Sequence, residues 1–163
     1  MGGRTNTEKN VLRASILAIN DGLCSNFNFV MGVIGAGITS RSIIVTGMVG
    51  ILAGAFSMGM GEWLSLSTVD KATDAIKAAL YSFVAFIVGA SIPIAPFFFL
   101  QPEDAVINAA VICACAMFTV GLVNGKRQPI RTGLKHVIVG MAIACVTHAC
   151  ASFIPAILEC IGG

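Results

Sequence analysis

Long apolar runs alternate with short polar breaks along this chain. Five runs, 11–36, 42–66, 75–100, 105–123 and 136–161, are long enough to cross a bilayer as helices, which takes about 20 residues. None alternates apolar and polar residues with a period of two, so barrel strands are not expected. Helices, which satisfy their own backbone in lipid, remain. The pattern predicts an all-α polytopic membrane protein, a single domain over residues 1–163 with five transmembrane helices. The connections at 37–41, 67–74, 101–104 and 124–135 are short. Pro93 and Pro96 are expected to kink the third helix or end it early. Residues 1–10 are polar and no small-residue cleavage site follows in a suitable place, so the first run is read as a retained helix rather than a signal peptide.

Composition agrees with the pattern. Of 163 residues, 56% are hydrophobic and 11% charged, with mean hydropathy +0.90. Soluble domains average roughly 25% charged residues; too few charges remain here to coat a globule, and lipid is the expected partner of the surface. A net charge of +2 without a basic, aromatic-studded face argues against nucleic acid.

The distribution of charge sets orientation. Arg4, Lys9, Arg13, Lys71, Lys77, Lys126, Arg127, Arg131 and Lys135 fall on one side of the alternating spans, and Arg41 alone falls on the other. The N-terminus is therefore expected in the cytoplasm and the C-terminus opposite. Cys24, Cys113, Cys115, Cys145, Cys150 and Cys160 all lie in apolar stretches without a Cys-x-x-Cys pair, and are read as packing or lipid-facing residues rather than a disulfide framework.

Two acids break the apolar pattern. Of eight, only Asp21 and Glu62 lie well inside apolar runs. An intramembrane charge is costly and usually faces a cavity or pathway; the bland alternative is a hydrogen-bonded acid that glues helices together. Asp21, Ser25, Asn28 and Gly32 share one face of the first helix, and Met58 and Glu62 are i, i+4 neighbours on the second. At about 1.5 Å per residue, Asp21 lies roughly 13 Å and Met58 about 12 Å from the cytoplasmic edge, with Glu62 about 6 Å from it. Asp21, Asn28, Met58 and Glu62 are thus the candidate metal ligands. Oxygen donors suit Mn(II) and Fe(II), and a thioether favours softer ions over Mg(II) or Ca(II), although a methionine in an apolar helix is more often packing. Gly47, Gly50, Gly54 and Gly61 make the second helix small on one side, which predicts close approach of the first two spans, within a subunit or across a dimer.

These residues also carry a resemblance. The stretches Ala18-Ile-Asn-Asp-Gly-Leu23, Met31-Gly-Val33 and Gly54-Ala-Phe-Ser-Met-Gly-Met-Gly-Glu-Trp-Leu-Ser65 resemble the first two helices of the vacuolar iron transporter family. Residues 79–96 are similar to its third helix, and 124–135 with Gly140 and Thr147 to its fourth connection and fifth helix. The resemblance implies a five-helix homodimer that exports cytosolic Fe(II), often Mn(II), in exchange for protons. The metal path would run between copies of helices one and two, with Asp21, Met58 and Glu62 as metal-path residues. No permanently bound cofactor is implied; Fe(II), Mn(II) and protons are what is carried. Many relatives have a long Glu-rich cytoplasmic extension between helices two and three. Here that connection is 67–74, with Asp70 and Asp74 as its acids, so Glu62 is expected to take a larger share of metal capture.

The leading expectation is a proton-coupled metal exporter in a bacterial plasma membrane or a eukaryotic vacuolar or other internal membrane. The alternative is a structural or regulatory membrane subunit without transport of its own. An intramembrane enzyme is not expected: His136 belongs at the interface, His148 is read as bonded within the helices, and no nucleophile or metal-hydrolase spacing accompanies them.

Overall fold

The computed structural model describes residues 6–68, 72–125 and 127–162. Arg4, Asp70, Lys71 and Lys126 lie outside the described residues, and of Lys9 only the backbone is described. All regular elements among the described residues are helical: α1 (Asn6–Gly35), α2 (Ser40–Ser67), α3 (Ala72–Ser91), a 3-10 turn (Ala95–Phe98), α4 (Pro102–Asn124), α5 (Pro129–Ser152) and α6 (Ile154–Gly162). α2, α3, α4 and the α5–α6 stretch are long and apolar enough to cross a membrane. α1 has the length but carries Asn20, Asp21, Asn26 and Asn28 along it.

Side-chain size sorts the bundle. The buried positions are dominated by Ala14, Ala18, Ala55, Ala75, Ala78, Ala90, Ala105, Ala109 and Ala144, while Val49, Leu52, Phe56, Val88, Ile107, Ile138 and Val146 point outward. Alanines lead the interior, with Leu23, Phe27, Ile94 and Met117 among them, while many large apolar groups face outward, which lipid permits and water does not. α1 is the central helix: it packs most extensively on α3, then on α5, and less on α2 and α4. The close approach expected of α1 and α2 is, within one chain, mainly an approach of each to α3. Gly54 of α2 faces the ring of Phe86 on α3, and Gly50 faces Asn26 and Phe29 on α1.

Helix ends have identifiable causes. α1 stops in a Schellman motif: Gly37, at φ 73°, donates to the Ile34 carbonyl at 2.9 Å, and Ile38 donates to Val33 at 3.3 Å. The left-handed conformation at residue 37 needs glycine. α3 ends at Ser91 instead of continuing to Leu100, because Pro93 and Pro96 supply no N–H for the helical ladder. One carbonyl freed at that end, Ala90, accepts the side-chain amide of buried Asn26 at 2.5 Å, which satisfies a group that lipid could not. α5 begins at Pro129, earlier than the apolar run, with Arg131 and Lys135 in its opening turns. It breaks at Phe153, where Pro155 cannot donate to the Ala151 carbonyl.

The helix starts and stops gather charge at one end. Glu8 of α1 lines a hollow with Asp74, Lys77 and Tyr81 of α3, and Arg13 of α1 lines another with Asn124 of α4 and His136 of α5. Arg13, Lys77 and the start of α5 thus share the end that the charge bias assigns to the cytoplasm.

Candidate functional site

On α1, Leu17, Asp21 and Ser25 recur every four residues and form one stripe; on α2, Gly54, Met58, Gly61 and Glu62 form another. The two stripes face each other across an open cleft of about 440 Å³, with Ser57 on its rim and Phe86 of α3 at its floor. Asp21, Met58 and Glu62, which lie 37 and 41 residues apart along the chain, therefore meet in one place. Asn28 does not line this cleft. It lies two turns further along α1, and its Oδ1 is buried without a hydrogen-bond partner among the described residues.

The two carboxylates are held differently. Asp21 is exposed to the cleft, and no ion pair or hydrogen bond to its carboxylate forms among the described residues. Its neighbour Ser25, which also lines the cleft, donates its hydroxyl to the Asp21 backbone carbonyl at 2.6 Å. Glu62 is buried in the α2 wall, with its side chain 8% exposed, and its Oε1 accepts from Arg13 Nη2 at 3.1 Å. Arg13 itself is 59% exposed. The asymmetry matters energetically. A solvent-exposed ion pair contributes only about 0.2–1 kcal/mol, whereas a buried carboxylate left alone is costly.

Met58 is half-buried and packs beside Ala55 and Phe86. Its thioether both fills space and reaches the cleft. The glycines give the wall its openness: beyond its own stretch of helix, nothing among the described residues lies within 4 Å of where a Cβ on Gly61 would be. Among the described residues no group of three or more His, Cys, Asp or Glu is close enough to hold a metal ion. One chain thus brings two carboxylates and a thioether to the cleft, short of a full coordination shell.

Arg13 is the member of the site that the sequence reading did not find. The charge pattern marks it only as an orienting cation, and 49 residues separate it from Glu62. The signal was its position: Arg13, Leu17 and Asp21 are four apart, so a helix that starts before residue 13 puts all three on one face. The histidines are engaged elsewhere. His136 Nδ1 bonds the Thr132 carbonyl of its own helix at 2.9 Å, and His148 Nδ1 bonds the Met31 carbonyl of α1 at 3.0 Å. A carbonyl only accepts, so each Nδ1 carries the proton. His148 thereby ties α5 to α1 rather than serving its own helix.

The chain has relatives among known proteins. The model of the VIT family matches residues 12–75 and 67–152. The vacuolar iron transporter homolog 4 of Arabidopsis thaliana is 32% identical over 151 residues, which cover 79% of this chain and 76% of that protein. The vacuolar iron transporter homolog 3 of the same plant is 30% identical over 159 residues, 84% and 80% of the two chains. The vacuolar iron transporter homolog 5 of Oryza sativa subsp. japonica is 32% identical over 161 residues, 85% and 77%.

Proposed function

Because the chain belongs to the VIT family, we propose that it carries Fe(II) and Mn(II) out of the cytosol through the α1–α2 cleft, in exchange for protons. The observation that carries this reading is the convergence of Asp21, Met58 and Glu62 on one open cleft inside an otherwise apolar bundle. Intramembrane acids that face a cavity mark ion pathways, and oxygen donors with a thioether suit a divalent transition metal. Relatives named as vacuolar iron transporter homologs support iron as cargo.

The geometry suggests an order of events. Glu62 stands nearer the basic, cytoplasmic end and meets the ion first. Asp21 and Met58 take it deeper into the membrane. The buried Asn28 Oδ1, without a partner among the described residues, offers the next oxygen along α1. Asp21 holds either a proton or a share of the metal, so the two Asp21 side chains of a pair of copies exchange two protons for one divalent ion. Asp74, expected in the α2–α3 connection, stands in the first turn of α3 and lines the separate hollow with Glu8, Lys77 and Tyr81. Capture then falls to Glu62.

Two copies complete the shell in this reading. A two-fold axis beside the cleft places the same patch opposite itself, so a second Asp21, Met58 and Glu62 join the first set. The competing reading, a membrane subunit that transports nothing, draws on the Arg13–Glu62 pair, which occupies the acid at the mouth. Metal uptake into proteoliposomes under an imposed pH gradient separates the two, with Fe(II), Mn(II), Co(II) and Zn(II) compared. We expect uptake that an uncoupler stops and that Asp21→Asn removes. Uptake by Asp21→Asn at the native rate would sink the assigned role.

A further inference from the structure

The Arg13–Glu62 pair joins an exposed cation to a buried anion, and Arg13 stands between two openings. Its guanidinium reaches Glu62 on the wall of the metal cleft, while its side chain also lines a neighbouring hollow of about 470 Å³ with Asn20, Asn124 and His136. Leu17 borders both spaces. Released from Glu62, the guanidinium has somewhere to go: the Asn20 and Asn124 amide oxygens are acceptors, and the hollow lies at the aqueous end.

We propose that Arg13 is the resident counter-cation of the cleft, holding Glu62 while no metal is bound and swinging into the Asn20–Asn124–His136 hollow when a divalent ion displaces it. The inference rests on the reading of the cleft as a metal site and adds a device that sets its affinity. Glu62 is too buried to stand ionised alone, so its carboxylate needs a cation beside it. Arg13 is exposed enough that its hold is weak. A divalent ion brings twice the charge to the same carboxylate and is also drawn by Asp21 deeper in, so it displaces the guanidinium. A monovalent ion offers Glu62 no more charge than Arg13 already does. Arg13 thus sets a concentration threshold and excludes the abundant monovalent cations, and the wall never presents an unpaired buried charge.

The test is calorimetric titration of Mn(II) into the purified full chain in detergent at fixed pH and ionic strength, where membrane orientation plays no part. Arg13→Gln removes the competitor and is expected to tighten Mn(II) binding roughly 1.5- to fivefold, the range a weak ion pair supplies. Arg13→Lys keeps the charge but loses the planar fork, and tightens binding by less. In a Glu62→Gln background, Arg13→Gln changes nothing, because the partner it held is gone. Arg13→Gln binding no tighter than native overturns the proposal. So does a gain that persists in Glu62→Gln, since that is long-range repulsion rather than displacement. Should Arg13→Gln fail to fold, Arg13→Lys decides alone, and an unchanged affinity there is a failure. Asp21→Asn separates the premise from the inference: if it binds Mn(II) like the native chain, the cleft reading itself has failed. If it binds weakly while Arg13→Gln binds no tighter than native, only the counter-cation idea has.

Discussion

Gly89 of α3 lies against the backbone of Ile19 on α1, so near that a Cβ at residue 89 would stand 2.2 Å from the Ile19 carbonyl oxygen. The contact is reciprocal: a Cβ on Gly22 of α1 would stand 2.4 Å from the Phe86 carbonyl oxygen of α3. The obstacle in each case is backbone, which cannot rotate aside. Because Phe86 also lines the α1–α2 cleft, this helix pair shapes the cleft as well as the fold.

Gly89→Ala is therefore expected to push α1 and α3 apart. Overpacking of this kind costs about 1–3 kcal/mol, and for a chain of this length that lowers Tm by roughly 2–12 °C. Thermal unfolding of the purified protein in detergent measures it. A Gly89→Ala protein with native Tm would show that the two helices do not meet backbone to backbone.

Met58 separates packing from ligation. Leucine replaces methionine in a core for less than about 1.5 kcal/mol, so Met58→Leu keeps the contacts to Ala55 and Phe86 while removing the sulfur. The thioether favours softer ions. Met58→Leu is expected to lower uptake of Fe(II) and Co(II) more than that of Mn(II), with little change in Tm. Equal loss for all three ions, or none, would mean that Met58 is only filling space.

Much of this was legible in the sequence, and the parts that were not share a cause. Hydropathy locates where the chain meets lipid, not where a helix begins, so α1 starts at Asn6 and α5 at Pro129, both within polar sequence. Pro93 announced the end of α3, while the break at Phe153 needed the same attention to Pro155. Asp21, Met58 and Glu62 stood out because spacing within a helix and depth across a bilayer follow from residue counting. The Arg13–Glu62 pair and the His148–Met31 bond depend on the register of one helix against another. Side-chain shape across the interface sets that register, and no local pattern carries it. Asn26 shows the same limit. It reads as one polar residue among several on α1, yet its amide serves the end of α3.

Gly61 offers a test of the second copy. It lies within α2, beside Glu62, and beyond its own stretch of helix nothing among the described residues comes within 4 Å of where its Cβ would be. A glycine inside a helix costs roughly 0.5–1 kcal/mol relative to alanine, and packing within this chain does not explain it. Its neighbours Phe56, Met60, Trp63 and Leu64 are also exposed. If two copies meet across the α1–α2 cleft, Gly61 is where the partner's helix comes close. Gly61→Ala should then leave the fold of one chain intact, while Gly61→Leu, with a branched side chain in the gap, should hold the copies apart. Light scattering in detergent would register the change as a shift from dimer to monomer, and proteoliposome uptake would fall with it, since each cleft loses the ligands of the other copy. A Gly61→Leu protein that stays dimeric and transports normally would place the contact between copies elsewhere and leave one chain to coordinate the ion with Asp21, Met58, Glu62 and water.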